Sequence, residues 1–134
     1  MFLKYLSEQE QQLFLELCNL VIKADLKIEK EELDLINEYR FEMGLFEEDY
    51  QIKGIKYEEI VKGLKEKSNF SNIKKIMFEL IALVKVDKKE DDREIELLEK
   101  LKNDFNLDSD MIKSISSVLD ELKNVYKKVF DIVG

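Results

Sequence analysis

The feature that most constrains the fold is an internal repeat, because the chain aligns with itself after a shift of 62 residues. The segment FLELCNLVIKADLKIEKEELDLI, which begins at Phe14, falls on IMFELIALVKVDKKEDDREIELL, which begins at Ile76. The copies share an apolar pattern, and they also share identical residues: Lys23 and Lys85, Asp25 and Asp87, Lys27 and Lys89, Glu32 and Glu94, Leu35 and Leu97, Leu45 and Leu107. Such repetition indicates one supersecondary unit used twice.

Each unit has the pattern of two helices joined by an acidic turn. Ser7 and Glu10 have the spacing of a capping box, in which each side chain bonds a backbone N–H group of the first helical turn. Gly44 and Asn106 follow the two units as residues that favour the left-handed conformation at a helix end. The segment 73–86 is apolar almost all round, which predicts a buried central helix. The apolar residues with helical spacing are Leu13, Leu17, Leu20, Ala24, Leu33, Ile36, Tyr39 and Met43, then Ile73, Ile76, Leu80, Leu83, Ile95, Leu98, Leu101 and Phe105.

Composition also favours helices, since the 134 residues include no proline and only four glycines. Strand-rich folds need more of these turn residues. We therefore predict an all-α fold of about six to seven helices in a single domain over residues 1–134. Its predicted parts are repeat one at about 7–50, a connector at 51–68 with a short helix over 57–66, repeat two at about 69–112, and a last helix at about 109–133.

Two arrangements explain the apolar stripe of the last predicted helix. Its residues recur at alternating spacings of four and three: Met111, Ile115, Val118, Leu122, Val125, Val129 and Ile132. This spacing is typical of a coiled-coil or partner-binding seam. A flanking row widens the stripe and favours packing on the domain's own core; it contains Ile112, Leu119, Tyr126 and Val133. The stretch 47–56 is expected to be a surface loop or one weak turn.

The charge balance limits the classes of partner. The formal net charge is −8, whereas nucleic-acid binding needs a basic stripe and an anionic membrane repels such a chain. Divalent cations and basic proteins are the natural ligands. No run approaches the ~20 apolar residues of a membrane span and no signal-peptide pattern is present, which predicts a cytoplasmic protein. The single cysteine, Cys18, lies in an apolar helix and is expected to be structural.

Asp25 and Asp87 end apolar helices, where the helix dipole disfavours an acidic residue. Something must offset this cost in both units. One candidate is local, because an aspartate side chain can accept hydrogen bonds from backbone N–H groups of its own turn. The other candidate is a bound cation, which favours clustered carboxylates.

The acidic residues that follow each turn also have a structural explanation. Glu29 and Asp91 fall near the N-caps of the next helices, which places Glu32 and Glu94 at the third helical position of a capping box. Other known motifs are absent. The chain has no histidine and no glycine-rich phosphate loop, and neither turn has the glycine and the bidentate glutamate of an EF-hand loop.

Both units resemble the tellurite-resistance TerB-like domain family, which also includes the N-terminal domain of a membrane-anchored DnaJ-like co-chaperone. The resemblance covers roughly residues 7–112, and the matching positions are Ala24, Asp25, Ile28 and Glu32 in the first half and Asp87 and Glu94 in the second. Leu26 and Lys88 stand where the family has glycine. The resemblance implies two pseudo-symmetric helical halves whose acidic turns come near each other.

The same resemblance implies a site and a role. The site is a divalent-cation site (Ca, Mg or Mn) at Asp25, Glu32, Asp87 and Glu94, with Glu29 and Asp91 as additional candidates. The leading hypothesis is a non-catalytic stress-response module that binds a cation, a protein partner or both through this acidic face. A second hypothesis is a metal-dependent hydrolase that uses the same carboxylates. A third is a homodimer built on the 111–133 stripe.

Overall fold

This computed structural model describes residues 1–24, 28–86 and 91–134. These parts of the chain form six α-helices and no strand, with a short 3-10 helix at Leu3–Tyr5. The helices are α1 (Glu8–Ala24), α2 (Lys30–Met43), α3 (Tyr57–Lys67), α4 (Phe70–Lys85), α5 (Asp92–Asp104) and α6 (Ser109–Val133). The predicted all-α fold is therefore confirmed, and the long helices lie close to their expected bounds.

The second helices of the two repeats end in the same way. Gly44 and Asn106 both have a left-handed backbone, with φ of 63° and 55°. This conformation lets the following N–H groups reach back to the last helical turn. The bonds run from Gly44 to Phe41, Leu45 to Arg40, Asn106 to Asn103, and Leu107 to Lys102. Each bond of the second repeat lies 62 residues after its counterpart, so both predicted helix ends are confirmed.

Helix α4 forms the centre of the core, as its composition predicted. It packs against α1, α2 and α6. Its buried residues are Ile73, Ile76, Met77, Glu79, Leu80, Ile81, Leu83 and Val84. Burying a large aliphatic side chain contributes about 1.5–3 kcal/mol, so this helix supplies a large share of the apolar stabilisation.

The buried side of helix α1 is shifted from the predicted stripe, although Leu17 of that stripe is fully buried. Phe14, Cys18 and Val21 are almost inaccessible to solvent, whereas Leu13 and Leu20 are only partly buried. The helix contacts α3, α4 and α5 at once. Its core-facing side is therefore wide, and periodicity alone cannot place the centre of a wide apolar side. The structural role predicted for Cys18 agrees with its burial, which raises the pKa of its thiol.

The first turns of α2 and α5 also face differently from the prediction. Leu33 and Ile95, which occupy equivalent positions in the repeat, are 45% and 44% exposed although both were expected on the core face. The preceding residues, Glu32 and Glu94, take the buried positions instead. Successive residues of a helix point about 100° apart, and only a narrow side of these two first turns is covered, so the inward glutamates leave the apolar residues that follow them exposed.

The segment between α2 and α3 is a loop, as expected, but it is anchored to the core. Tyr50 is buried, with 6% of its surface exposed. The buried carboxylate of Glu16 accepts bonds from the Tyr50 hydroxyl and from three backbone N–H groups at 2.9–3.1 Å, those of Lys53, Gly54 and Ile55. The Arg40 guanidinium donates to the carbonyls of Leu45 and Tyr50, each at 3.0 Å. The predicted surface stretch 47–56 is thus exposed over most of its length, and Tyr50 is the buried exception.

Helix α6 divides into two parts. Its first half packs on the core through Met111, Ile112, Ile115 and Leu119. From Lys123 onward every residue is exposed. Packing on the domain's own core is therefore observed for the first half of α6, whereas the second half is left uncovered. Although α6 has 25 residues, neither it nor another helix in the described ranges is long and apolar enough to cross a lipid bilayer.

Candidate functional site

Glu32 and Glu94 occupy equivalent positions in the first turns of α2 and α5. Glu29 is the N-cap of α2 and Asp91 is the N-cap of α5, each with an extended backbone. The Asp91 carboxylate accepts a hydrogen bond from the N–H group of Arg93 at 2.8 Å. The third helical residue after each N-cap is a glutamate, Glu32 in α2 and Glu94 in α5, as the sequence predicted.

Both glutamates are buried, with 1% of Glu32 and none of Glu94 exposed. Removing a carboxylate from water costs several kcal/mol unless other groups compensate. The positive end of the helix dipole offsets part of this cost, on the order of 0.3–2 kcal/mol. Glu32 and Glu94 each also interact with another group of the protein, so neither is without a partner. Because both repeats bear the same cost at the same position, this position is the strongest candidate for a site.

The other predicted ligands are placed less deeply or lie outside the described residues. Glu29 and Asp91 are half-buried at their caps. Asp25 and Asp87 fall in the segments 25–27 and 87–90, which the structure does not describe. The predicted approach of the two turns concerns the same segments and therefore also lies outside the described residues. Within the described ranges, no three His, Cys, Asp or Glu side chains lie together in a way that could hold a metal ion. A site built from three such side chains at this place would need at least one ligand from the segments 25–27 and 87–90, which contain Asp25, Asp87 and Glu90.

The donor set determines which cation would fit. Carboxylate oxygens are hard ligands, which suit Ca²⁺, Mg²⁺ and Mn²⁺ better than the metals that prefer thiolate or imidazole. Cys18 does not belong to this set, because its buried thiol has a raised pKa and stays protonated. A hydrolase would also need a cleft beside the carboxylates. Three surface cavities in the described part of the molecule lie between α2, α4, α5 and α6 or along α6, and neither Glu32 nor Glu94 lines any of them.

Glu10 is buried for a structural reason. Its carboxylate accepts the Ser7 N–H at 3.0 Å, and the Ser7 hydroxyl accepts the Glu10 N–H at 3.2 Å, which confirms the predicted capping box. The same carboxylate also accepts bonds from the Ser68 hydroxyl at 2.6 Å and from the Asn72 amide. Burial raises the pKa of Glu10, but these bonds outweigh it and hold the pKa below its usual value. Glu10 thus ties the start of α1 to the junction of α3 and α4.

Glu16 and Glu79 are structural carboxylates that sequence reasoning missed. Glu16 organises the loop after α2, as described above. The Glu79 carboxylate accepts the Phe2 N–H at 3.1 Å and lies 3.2 Å from the Met1 amine. The signal that identifies both is a glutamate between two apolar residues of a buried helix, in the segments LEL and FEL. Bonds to distant segments therefore account for the burial of these two residues.

We compared the chain with protein-family models, with curated proteins and with solved structures. No protein-family model matches the chain. No curated protein and no solved structure is significantly similar to it.

Proposed function

We propose that this chain is a non-catalytic, TerB-like helical module that binds a divalent cation at its two acidic turns. In this proposal Asp25, Glu32, Asp87 and Glu94 supply the ligands, and Glu29 and Asp91 lie beside them. The acidic face formed around the cation binds a basic protein partner in a cytoplasmic stress response. The net charge of −8 favours both kinds of ligand over nucleic acids and anionic surfaces.

The observation that carries the proposal is the matched burial of Glu32 and Glu94. The capping-box explanation accounts for a glutamate at the third helical position, since this residue reaches back to the cap in many helices. A capping glutamate, however, does not need to be removed from solvent. The burial of Glu32 and Glu94 at equivalent positions shows that both repeats keep this carboxylate away from solvent. In the proposal, a cation shared with Asp25 and Asp87 adds to the interactions that the two glutamates already make.

The supporting chemistry is that of a structural cation rather than a catalytic one. A divalent cation would draw together two turns that belong to different repeats, and would stabilise the folded state by binding it in preference to the unfolded chain. The protein would contribute the ligand oxygens and would keep most water molecules away from the cation.

Titration of the chain with CaCl₂, MgCl₂ or MnCl₂ tests this proposal. Calorimetry measures the heat of binding, and thermal unfolding measures the change in Tm. The experiments are done at ~0.15 M salt, where the electrostatic screening length is about 8 Å. Nonspecific attraction of cations to the negative net charge is then weak. We expect saturable heat with at least one cation and a rise in Tm. At a cation concentration of about 100 times Kd, binding adds about 2.7 kcal/mol to the free energy of unfolding.

Matched variants locate the cation. Asp25→Asn, Asp87→Asn, Glu32→Gln and Glu94→Gln should each weaken binding, whereas the control Glu31→Gln should not, because Glu31 is an exposed carboxylate in the same first turn as Glu32. No heat and no change in Tm with all three cations would remove the cation from the proposal. Binding that survives all four ligand variants would place the cation elsewhere.

A further inference from the structure

The second half of α6 presents a wide apolar surface that its own domain leaves uncovered. We call this surface the apolar arc; it consists of Val125, Tyr126, Val129, Phe130, Ile132 and Val133, which are 46–83% exposed. At about 100° per residue these side chains spread over roughly 160° of the helix. A coiled-coil seam needs a narrower stripe than this. The arc therefore fits a groove, which contacts a helix on more than one side, better than it fits a single facing helix.

The molecule has a groove of this kind next to the arc. It is a cavity of about 440 Å³ between α2 and α6, above α4. Its apolar lining includes Leu35, Tyr39, Phe78, Ala82, Val86 and Leu122. The volume has room for a few large apolar side chains, and Tyr126 belongs to both the groove and the arc. The groove and the arc thus form one continuous surface.

The charges at the edges of the two features are complementary. On a helical projection, Lys127 and Lys128 flank the apolar arc on its two sides, each within about 60° of its edge. The groove has Glu38 and Glu42 on its α2 wall and Asp120 on its α6 wall. Lys85, Lys123 and the Met1 amine also line the groove; Lys85 pairs with Asp120 at 3.1 Å and the Met1 amine pairs with Glu42. Glu38 on the α2 wall is therefore the acidic group of the groove that best complements the lysines beside the apolar arc.

We propose that the second half of α6 inserts into the groove of a second copy of this chain, and that each copy does so to the other. A two-fold axis makes such an interface self-complementary, because the same groove and the same helix end are present on both subunits. The two α6 helices then run antiparallel, with the arc of one above the groove-lining residues of the other. Lysines at the edge of the arc approach the acidic walls, which favours this arrangement over a helix with acidic flanks.

Sedimentation of the full chain over a range of concentrations tests the self-association. We expect a reversible dimer. Val129→Asp should raise its dissociation constant by about tenfold or more, because a charge would be buried among apolar groups. The matched control is Asn124→Asp, which adds the same charge on the opposite side of the helix. Both residues lie in the exposed half of α6, so circular dichroism should report an unchanged fold for both variants.

Cross-linking between two variants tests the arrangement itself. A mixture of Ala82→Cys and Val129→Cys should form a disulfide-linked heterodimer under mild oxidation, because one thiol lies in the groove and the other in the arc. The native Cys18 is buried and should not interfere. A mixture of Ala82→Cys and Asn124→Cys should give no such product. A wild-type chain that stays monomeric at its highest soluble concentration overturns the proposal and leaves the groove to another kind of partner. Equal cross-linking in both mixtures also overturns it.

Discussion

At the scale of single residues, the buried glutamates differ in the groups that surround them. Glu16 is the clearest structural case, because one carboxylate organises a loop that lies far away in sequence. Burial raises the pKa of Glu16, but hydrogen bonds from Lys53, Tyr50, Ile55 and Gly54 outweigh this effect and lower the pKa below its usual value of 4.5. Glu32 and Glu94 belong instead to the first turns of their helices, and their burial is a property of the repeat.

Glu16→Gln tests the structural role of this carboxylate. The variant loses a charge that accepts several hydrogen bonds, so we expect the free energy of unfolding to fall by about 1–3 kcal/mol at neutral pH. The folded-state pKa is lowered, so the carboxylate stabilises the protein fully above the unfolded-state value of 4.5, and this contribution is lost as the pH falls through the folded-state value. Denaturant unfolding at neutral and acid pH measures the effect.

The control for this experiment is Glu48→Gln, since Glu48 is exposed in the same loop region. Glu10 and Glu42 also have lowered pKa values, so the Glu16 variant should keep part of the dependence on pH. A difference between wild type and Glu16→Gln that does not shrink in acid would contradict the role assigned to this charge.

At the scale of the helix and its ends, the two repeats use the same backbone motif with different residues. Gly44 adopts its left-handed conformation without steric cost, whereas Asn106 adopts it at a small cost. Sequence spacing identified both ends correctly. The same spacing was wrong only at the first turns of α2 and α5 among the residues predicted for these helices, because apolar periodicity cannot show that a glutamate occupies the inward position of a first turn.

Substitutions at the two helix ends should change stability in opposite directions. Gly44→Ala should lower the free energy of unfolding by about 1 kcal/mol, because a side chain makes positive φ unfavourable. Asn106→Gly should raise the free energy of unfolding by about a few tenths of a kcal/mol, because glycine adopts positive φ without steric cost. Thermal unfolding measures the stability of both variants. Because Gly44 and Asn106 occupy equivalent positions in the repeat, each variant serves as the control for the other. Destabilisation by both substitutions would show that the two ends are not equivalent.

At the scale of the whole molecule, contacts between the repeats build the core. Helix α1 of the first repeat packs against α4 and α5 of the second. The Tyr39 hydroxyl of the first repeat donates to the Glu79 carbonyl of the second at 2.7 Å, and the Tyr57 hydroxyl of the connector donates to the Asp104 carboxylate of the second repeat. A repeat that shares its core with a second copy cannot bury its apolar surface alone.

Separating the repeats should therefore abolish folding. We expect fragments 1–68 and 69–134 to show little helix by circular dichroism when each is alone, and to regain helix when mixed in equal amounts. The intact chain is the control. Cooperative unfolding of either fragment alone would mean that the repeats are independent domains.

The sequence by itself determined the all-α class, the two-unit repeat, the capping box at Ser7, and the helix ends at Gly44 and Asn106. These features depend on interactions between residues a few positions apart, and such interactions have a fixed spacing that can be counted. It also identified Glu32 and Glu94 as candidates through their equivalent places in the repeat.

The tertiary structure alone decided the rest, because burial depends on which helices meet. It buried Glu16 against residues more than thirty positions later. It turned Leu33 and Ile95 outward, and it left half of α6 uncovered beside an apolar groove. Contacts between segments far apart in the chain have no period in the sequence, so only the packed molecule shows them.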